Sequence, residues 1–202
     1  MPILIRGVRK MRELVVLVGP AGSGKTTFRN RHPEWAIVSK DDIRRSVFHR
    51  DFDLRFESAV TNIFAATLVE AVQSPAEVVC VDNTNLTRAE RGELIDVARA
   101  SKRVPVVYIM PSAAREVLYK RKLSQLDLLA SSNPGIVVGG FPEERYTMMY
   151  NRYEEVSEDE GFVKIFREVE PLPASKKRRT RATRKRRTST LRRLDALPLF
   201  SQ

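Results

Sequence analysis

A chain of 202 residues, 42% of them hydrophobic, is long enough for one α/β domain with its own core plus an additional segment. Its one cysteine, Cys80, lies inside an apolar run, which excludes a disulfide framework and predicts a buried thiol in a reducing compartment. The net charge of +11 is unevenly spread: from Ser175 onward eleven Lys and Arg face a single acid, Asp195, so the rest of the chain is close to neutral and the basicity belongs to a tail.

No apolar stretch approaches the roughly 20 residues that a membrane-spanning helix needs. The opening Met1-Pro2-Ile3-Leu4-Ile5-Arg6 lacks the layout of a secretory signal, and a cytoplasmic location is expected. Residues 1–12 read as a leader, with Met11 as a possible alternative start.

The first predicted strand is Leu14-Val15-Val16-Leu17-Val18. It runs into Gly19-Pro20-Ala21-Gly22-Ser23-Gly24-Lys25-Thr26, followed by Thr27. This is the G-x-x-x-x-G-K-[ST] pattern in the context it requires, a buried strand before and a helix, here residues 26–31, after. Small residues let backbone N–H groups converge on phosphate oxygens, and the helix start adds partial positive charge at the same place. In such a loop Lys25 reaches the β- and γ-phosphates of ATP and the Thr26 hydroxyl ligates Mg²⁺. The pattern predicts nucleoside triphosphate binding and leaves the subsequent chemistry open.

Residues 35–38 form the second predicted strand, ending at Ser39-Lys40-Asp41-Asp42, with Asp42 expected to cap a helix over 43–48. Phe52, Phe56, Val60, Ile63, Phe64 and Leu68 recur at helical spacing and are read as core. Val78-Val79-Cys80-Val81 is a third strand, closing on Asp82-Asn83-Thr84-Asn85. Thr87-Arg88-Ala89-Glu90 has capping-box form and opens a helix to about residue 100. A fourth strand covers 104–109. Ser112 is expected to cap a helix of about four turns through Leu118 and Leu126; residues 131–140 read as loop. Pro142 opens a helix over 143–156, and 162–166 is the last strand.

Strands alternating with helices predict a parallel sheet covered on both faces, with ligands at the carboxyl ends of its strands. The glycine-rich loop, Lys40-Asp41-Asp42 and Asp82–Asn85 all fall at such ends. Phosphoryl transfer needs positioning, charge neutralisation and one group to deprotonate the acceptor, and the Asp41-Asp42 pair is the candidate for that group. The two side chains diverge, one to face the acceptor and the other to cap or ligate. Arg44 or Arg45 suits a bidentate grip on an acceptor phosphate. His32 and His49 are isolated, without partners at metal-ligand spacing. The tail, with Lys176-Lys177-Arg178-Arg179 and Arg184-Lys185-Arg186-Arg187, is too polar to fold and suits a phosphate backbone.

Ser39-Lys40-Asp41-Asp42-Ile43-Arg44-Arg45-Ser46 following this loop, together with Val79-Cys80-Val81-Asp82-Asn83-Thr84-Asn85, resembles the kinase domain of the 5′-hydroxyl polynucleotide kinases over roughly residues 13–156. The resemblance implies a P-loop NTPase fold of the nucleotide-kinase kind, ATP and Mg²⁺ as donor, and the 5′-hydroxyl of DNA or RNA as acceptor. It implies that Asp41 is the general base, that Arg44 grips the acceptor's 3′-phosphate, and that Lys25 and Thr26 keep their loop roles. Asn85 would line the acceptor side and Asp82 would act through Mg²⁺-bound water. Arg121 resembles the first lid arginine over the ATP phosphates; the family's second falls on Gln125, with Lys122 or Arg115 as substitutes. The expected organisation is a leader at 1–12, a kinase domain at 13–170 and a basic tail at 171–202. Two other readings stay open: a small-molecule or protein phosphotransferase on the same fold, and a weakly hydrolysing ATP-binding adaptor for nucleic acid.

Overall fold

The computed structural model describes residues 11–167. The basic tail and most of the leader lie outside the described residues. Five strands form one wholly parallel sheet: β1 (Glu13–Val18), β2 (Ala36–Val38), β3 (Val78–Val81), β4 (Val104–Ile109) and β5 (Lys164–Arg167), in the order β2-β3-β1-β4-β5. This is an α/β P-loop NTPase fold. Six helices accompany the strands: α1 (Lys25–Arg29), α2 (Lys40–Phe48), α3 (Glu57–Gln73), α4 (Arg88–Ala100), α5 (Arg115–Ser132) and α6 (Glu143–Tyr150).

Alternation along the strands divides the core between the two faces of the sheet, as the period of two requires. Leu14, Val16, Val18, Val79, Val81, Val107 and Ile109 point to one face and pack with Leu68 and Val72 of α3 and Leu94, Ile95 and Ala98 of α4. Val15, Leu17, Cys80, Val104 and Val106 point to the other, against Phe28 of α1. Central β1 is buried from Leu14 to Val18, which is why it reads as an unbroken apolar run. Cys80 is buried, and desolvation raises its thiol pKa far above the ordinary value, so it is inert.

Strand order places the site. The chain leaves β1 toward β2 and leaves β3 toward β4, in opposite directions, although β1 and β3 are neighbours. The crevice at their carboxyl ends is the topological switch point where ligands bind in open α/β sheets. It falls between the glycine-rich loop and Asp82–Asn85.

Several element ends differ from the sequence expectation. Ser39, not Asp42, caps α2: its hydroxyl accepts from the Asp42 backbone N–H at 3.3 Å, and the helix begins at Lys40. Ser112 does not cap α5; the cap position is Ala114, whose carbonyl accepts the first bonds of the helix, from the N–H groups of Val117 and Leu118. That helix runs on through Ser131 and Ser132, expected as loop. Helix α6 stops at Tyr150 rather than 156, because the Glu154 N–H turns away to the Leu86 carbonyl at 2.9 Å. Phe52 and Phe56 precede α3 and leave Val60, Leu68 and Val72 as its buried face. The Thr87 capping box is present as read, with the Glu90 carboxylate returning to the Thr87 N–H. Among the described residues no helix is long and apolar enough to cross a membrane.

Candidate active site

The glycine-rich loop is shaped by two requirements. Gly22 has φ +84, and a Cβ placed there would collide with the backbone carbonyl oxygen of Leu118 in α5; Gly24, the residue before α1, has φ +97. Both conformations disfavour L side chains. The loop is pinned from three sides. The Gly19 N–H donates to the Thr84 carbonyl at 3.1 Å. The Asn85 side-chain amide donates to the Leu17 carbonyl at 2.7 Å. The Tyr146 hydroxyl of α6 donates to the Ala21 carbonyl at 3.0 Å.

Lys25 is buried, and its ammonium donates to the carbonyls of Gly19 at 2.7 Å and Pro20 at 2.9 Å. Desolvation lowers its pKa to about 8, opposed by the charges of Asp82 and Asp41. The Thr26 hydroxyl donates to the Asp82 carboxylate at 3.1 Å. Arg29 Nε lies 3.1 Å from the same oxygen of Asp82, an ionic contact without hydrogen-bond alignment. Burial raises the Asp82 pKa against the opposing pull of Lys25, Arg29 and Thr26, and the Asp41 charge raises it further. A hydroxyl beside a carboxylate at the mouth of a phosphate cradle is the oxygen-donor pair that Mg²⁺ takes in P-loop NTPases, so these residues fit the metal. Among the described residues no cluster of three or more His, Cys, Asp or Glu is arranged to hold a metal by itself.

The two aspartates after β2 diverge. Asp42 is held by Arg29 of α1 through a bidentate pair at 2.6 and 3.0 Å, which fixes α2 against the helix of the phosphate loop. Asp41 lines the cleft that also holds Lys25 and Thr26, a space of about 900 Å³. Its desolvation is outweighed by the charges of Lys122, Arg44, Arg45 and Lys25, so its pKa lies below the ordinary carboxylate value and it is ionised at neutral pH. Arg44 donates to Asp41 from one nitrogen and to Glu57 from two others, at 2.8 and 2.7 Å. Lys40 is placed by its own N–H, which donates to the Asn83 side chain at 3.0 Å, linking the ends of β2 and β3.

The predicted residues are therefore distributed as follows. Ala21, Gly22, Gly24, Lys25, Thr26 and Thr27 share the cleft with Asp41, Arg44, Asp82 and Asn85. Gly19 and Pro20 border a smaller neighbouring cavity of about 270 Å³, and Ser23 is buried within the loop. The Asn85 amide, expected to meet the acceptor, is committed to backbone carbonyls, and its φ of 49 shows it closing a turn. Arg121 is exposed and is not among the residues lining the cleft; Lys122 and Gln125 enter it from the same stretch of α5. Arg115 is engaged elsewhere, with Glu143, Glu116 and Thr147. Sequence reading did not single out Glu57, Phe52 as a cleft residue, or Arg145 of α6, all of which converge near Arg44. The i, i+13 relation of Arg44 to Glu57 leaves no local pattern to find.

Residues 14–125 match the AAA domain, more than half of the chain. The chain belongs to the AAA domain family. This AAA domain is similar in fold to a proposed kinase of Chloroflexus aurantiacus, with a TM-score of 0.58 and 15% identity over 78% of this chain and 87% of that one. It is similar to Kti12 of Chaetomium thermophilum in complex with ADP-AlF3, with a TM-score of 0.54 and 20% identity over 76% of this chain and 87% of the other. A third likeness is to the PezAT toxin–antitoxin system of Streptococcus pneumoniae, with a TM-score of 0.50 and 17% identity over 66% and 60% of the two chains. At these identities the likeness is one of fold. Comparison with curated protein sequences gives no match. In this AAA domain the phosphate loop and an ionised aspartate, Asp41, line one cleft.

Proposed function

We propose that the protein is an ATP-dependent kinase that transfers the γ-phosphoryl group to the 5′-hydroxyl of a DNA or RNA end. The observation that carries the reading is Asp41. It shares one cleft with Lys25 and Thr26, is held ionised by the surrounding cations, and has Arg44 bonded to it. A positioned carboxylate is what transfer to a hydroxyl acceptor needs in order to take its proton.

Mg·ATP supplies the phosphoryl group and neutralises much of the charge in transfer. The chain does the rest. The loop N–H groups and Lys25 hold the β- and γ-phosphates, for which Lys25 exchanges its carbonyl partners for phosphate oxygens. Thr26 and Asp82 face the metal side. Asp41 accepts the proton from the acceptor hydroxyl, and Arg44 orients Asp41. Lys122 brings a cation to the cleft from α5, where the resemblance expected Arg121. A donor of the ATP type is supported by the fold shared with Kti12, whose structure holds ADP-AlF3. The 5′-hydroxyl acceptor rests on the likeness of Ser39–Ser46 and Val79–Asn85 to the polynucleotide kinases.

γ-Labelled ATP incubated with a 5′-hydroxyl oligonucleotide tests the reading. Label on the oligonucleotide is expected; hydrolysis alone points to the adaptor, and label on a small metabolite or protein instead points to another phosphotransferase. The basic tail after residue 174 would tether such an enzyme to its substrate through backbone phosphates. Deleting residues 175–202 is expected to weaken single-strand binding at low salt and to flatten its salt dependence. Unchanged affinity would assign the tail another task.

A further inference from the structure

Arg44 is the residue that sequence likeness assigns to an acceptor phosphate, yet its guanidinium is already matched by two carboxylates. It bonds to Asp41 and, bidentately, to Glu57. The three groups together carry a net negative charge, which is a poor attractor for an anion. The neighbouring guanidinium of Arg145 differs. It lies 3.4 Å over the ring of Phe52 and 5.5 Å from the centroid of Phe141, and it lines the same cleft. Among the described residues it has no hydrogen bond and no ion pair. Arg44 sits over the same Phe52 ring, at 5.5 Å, so one aromatic side chain carries both guanidinium groups.

The platform itself is fixed. The Asp51 carboxylate accepts from the Gly139 N–H at 2.7 Å, the Asp51 N–H donates to the Val137 carbonyl at 3.2 Å, and the Val137 N–H donates to the His49 carbonyl at 2.8 Å. These bonds strap the loop after α2 to the loop before α6, the two stretches that bring Phe52 and Phe141 to Arg145. Desolvation lowers the Arg145 pKa, and the charge of Arg44 lowers it further, against Glu57 and Asp51. The guanidinium has no protein partner for its donors among the described residues, and they open onto the cleft, where an anion can take them. Stacked on Phe52, it keeps its planar fork directed without spending a hydrogen bond on its support.

We propose that Arg145 binds the acceptor's phosphate, the first one beyond the reacting 5′-hydroxyl, and that Arg44 serves chiefly to set Asp41. The ligand class is a 5′-hydroxyl nucleotide bearing a 3′-phosphate or phosphodiester. This rests on the 5′-hydroxyl kinase reading above. The cation supplied by Arg145 offsets the excess negative charge of the Asp41, Arg44 and Glu57 group, so an anionic acceptor meets less repulsion there.

The test compares two 5′-hydroxyl dinucleotides, one with an ordinary phosphodiester and one with a neutral methylphosphonate linkage. The wild-type protein is expected to favour the charged linkage in kcat/KM by about tenfold or more, as one charge-assisted contact to phosphate warrants. In Arg145→Ala that preference falls toward unity through the acceptor KM, while the KM for ATP holds; Arg145→Lys keeps part of it. A preference unchanged in Arg145→Ala, or a variant that weakens both dinucleotides equally, overturns the assignment. Absence of transfer to either dinucleotide by the wild-type protein would instead sink the 5′-hydroxyl reading. Arg145 is then judged by titrating a nucleoside 3′-monophosphate into protein saturated with Mg²⁺ and a non-hydrolysable ATP analogue. Binding lost in Arg145→Ala upholds it; equal affinity, or no binding by the wild-type protein, overturns it.

Discussion

The two halves of the cleft are built by different means. The donor half is backbone: Gly22 and Gly24 at positive φ, Gly19 tied to Thr84, Ala21 tied to Tyr146, and a lysine resting on carbonyl oxygens. The half we propose for the acceptor is side chain: Asp41, Arg44 and Glu57 in one charge network, with Phe52 and Arg145 beside it. A phosphate cradle made of N–H groups serves any nucleoside triphosphate and needs few particular residues. Recognition of an acceptor needs charges and apolar faces in one arrangement, and those come from several segments. The contrast implies that damage to either half should separate cleanly, donor binding from transfer.

The largest separation is expected at Asp41. Replacing it by Asn removes the proposed proton acceptor while leaving a side chain of the same shape beside Arg44. Transfer should fall by about 10²–10⁴-fold, the range for loss of a positioned general base, while affinity for a non-hydrolysable ATP analogue changes little. Single-turnover transfer together with equilibrium titration reads both. Near-normal transfer would show that acceptor activation lies with another group and would dissolve the contrast drawn above.

Gly22→Ala tests the other half. The new methyl group meets the Leu118 carbonyl, which is backbone and held in α5, and the residue must also keep φ +84. The left-handed conformation alone costs about 1–2 kcal/mol for Ala, and the collision adds to it. Analogue affinity should fall at least tenfold, with a lowered melting temperature, whereas acceptor binding by the apo protein should survive. Loss of acceptor binding in the same variant would mean that the halves share one folding unit.

The same division explains what could be read from sequence. The cradle is contiguous, so strand, turn glycines, Lys25 and Thr26 are visible as one pattern, and the sheet follows from apolar runs such as Val78–Val81. The capping box at Thr87 is legible because its partner Glu90 is three residues away. Asp42 misleads as a cap because Ser39, three residues earlier, has the same chemistry and the better position, which frees Asp42 for Arg29. Ser112 misleads because a capping residue is only half of the signal. Residues 111–114 take up no regular secondary structure after β4, where the Met110 N–H still pairs with the Val18 carbonyl at 2.9 Å. Glu57, Phe52 and Arg145 leave no trace of their roles in sequence, since what unites them is the strap between Asp51 and residues 137–139, formed across more than eighty positions of chain.

The smallest effect belongs to a side chain that reaches from α6 to the donor loop. Tyr146 is fully buried on α6, one residue after Arg145, and donates to the Ala21 carbonyl of the phosphate loop. Tyr146→Phe should cost about 1 kcal/mol of stability, the net worth of one neutral hydrogen bond, with a few-fold loss in analogue affinity. Alkaline pH supplies the control. Burial, chiefly, and the Tyr150 phenol raise the Tyr146 pKa from 10.0 to about 12, against a lowering by Arg115. The unfolded chain therefore loses this proton first, and between pH 10 and 12 ionisation stabilises the unfolded state alone. The stability of the wild-type protein should decline across that window more steeply than that of Tyr146→Phe, so their difference narrows as pH rises. Parallel decline would show that the phenol is not what holds the donor loop to α6. The donor loop would then be tied to the rest of the cleft through Leu118, the Arg29–Asp42 pair and the sheet.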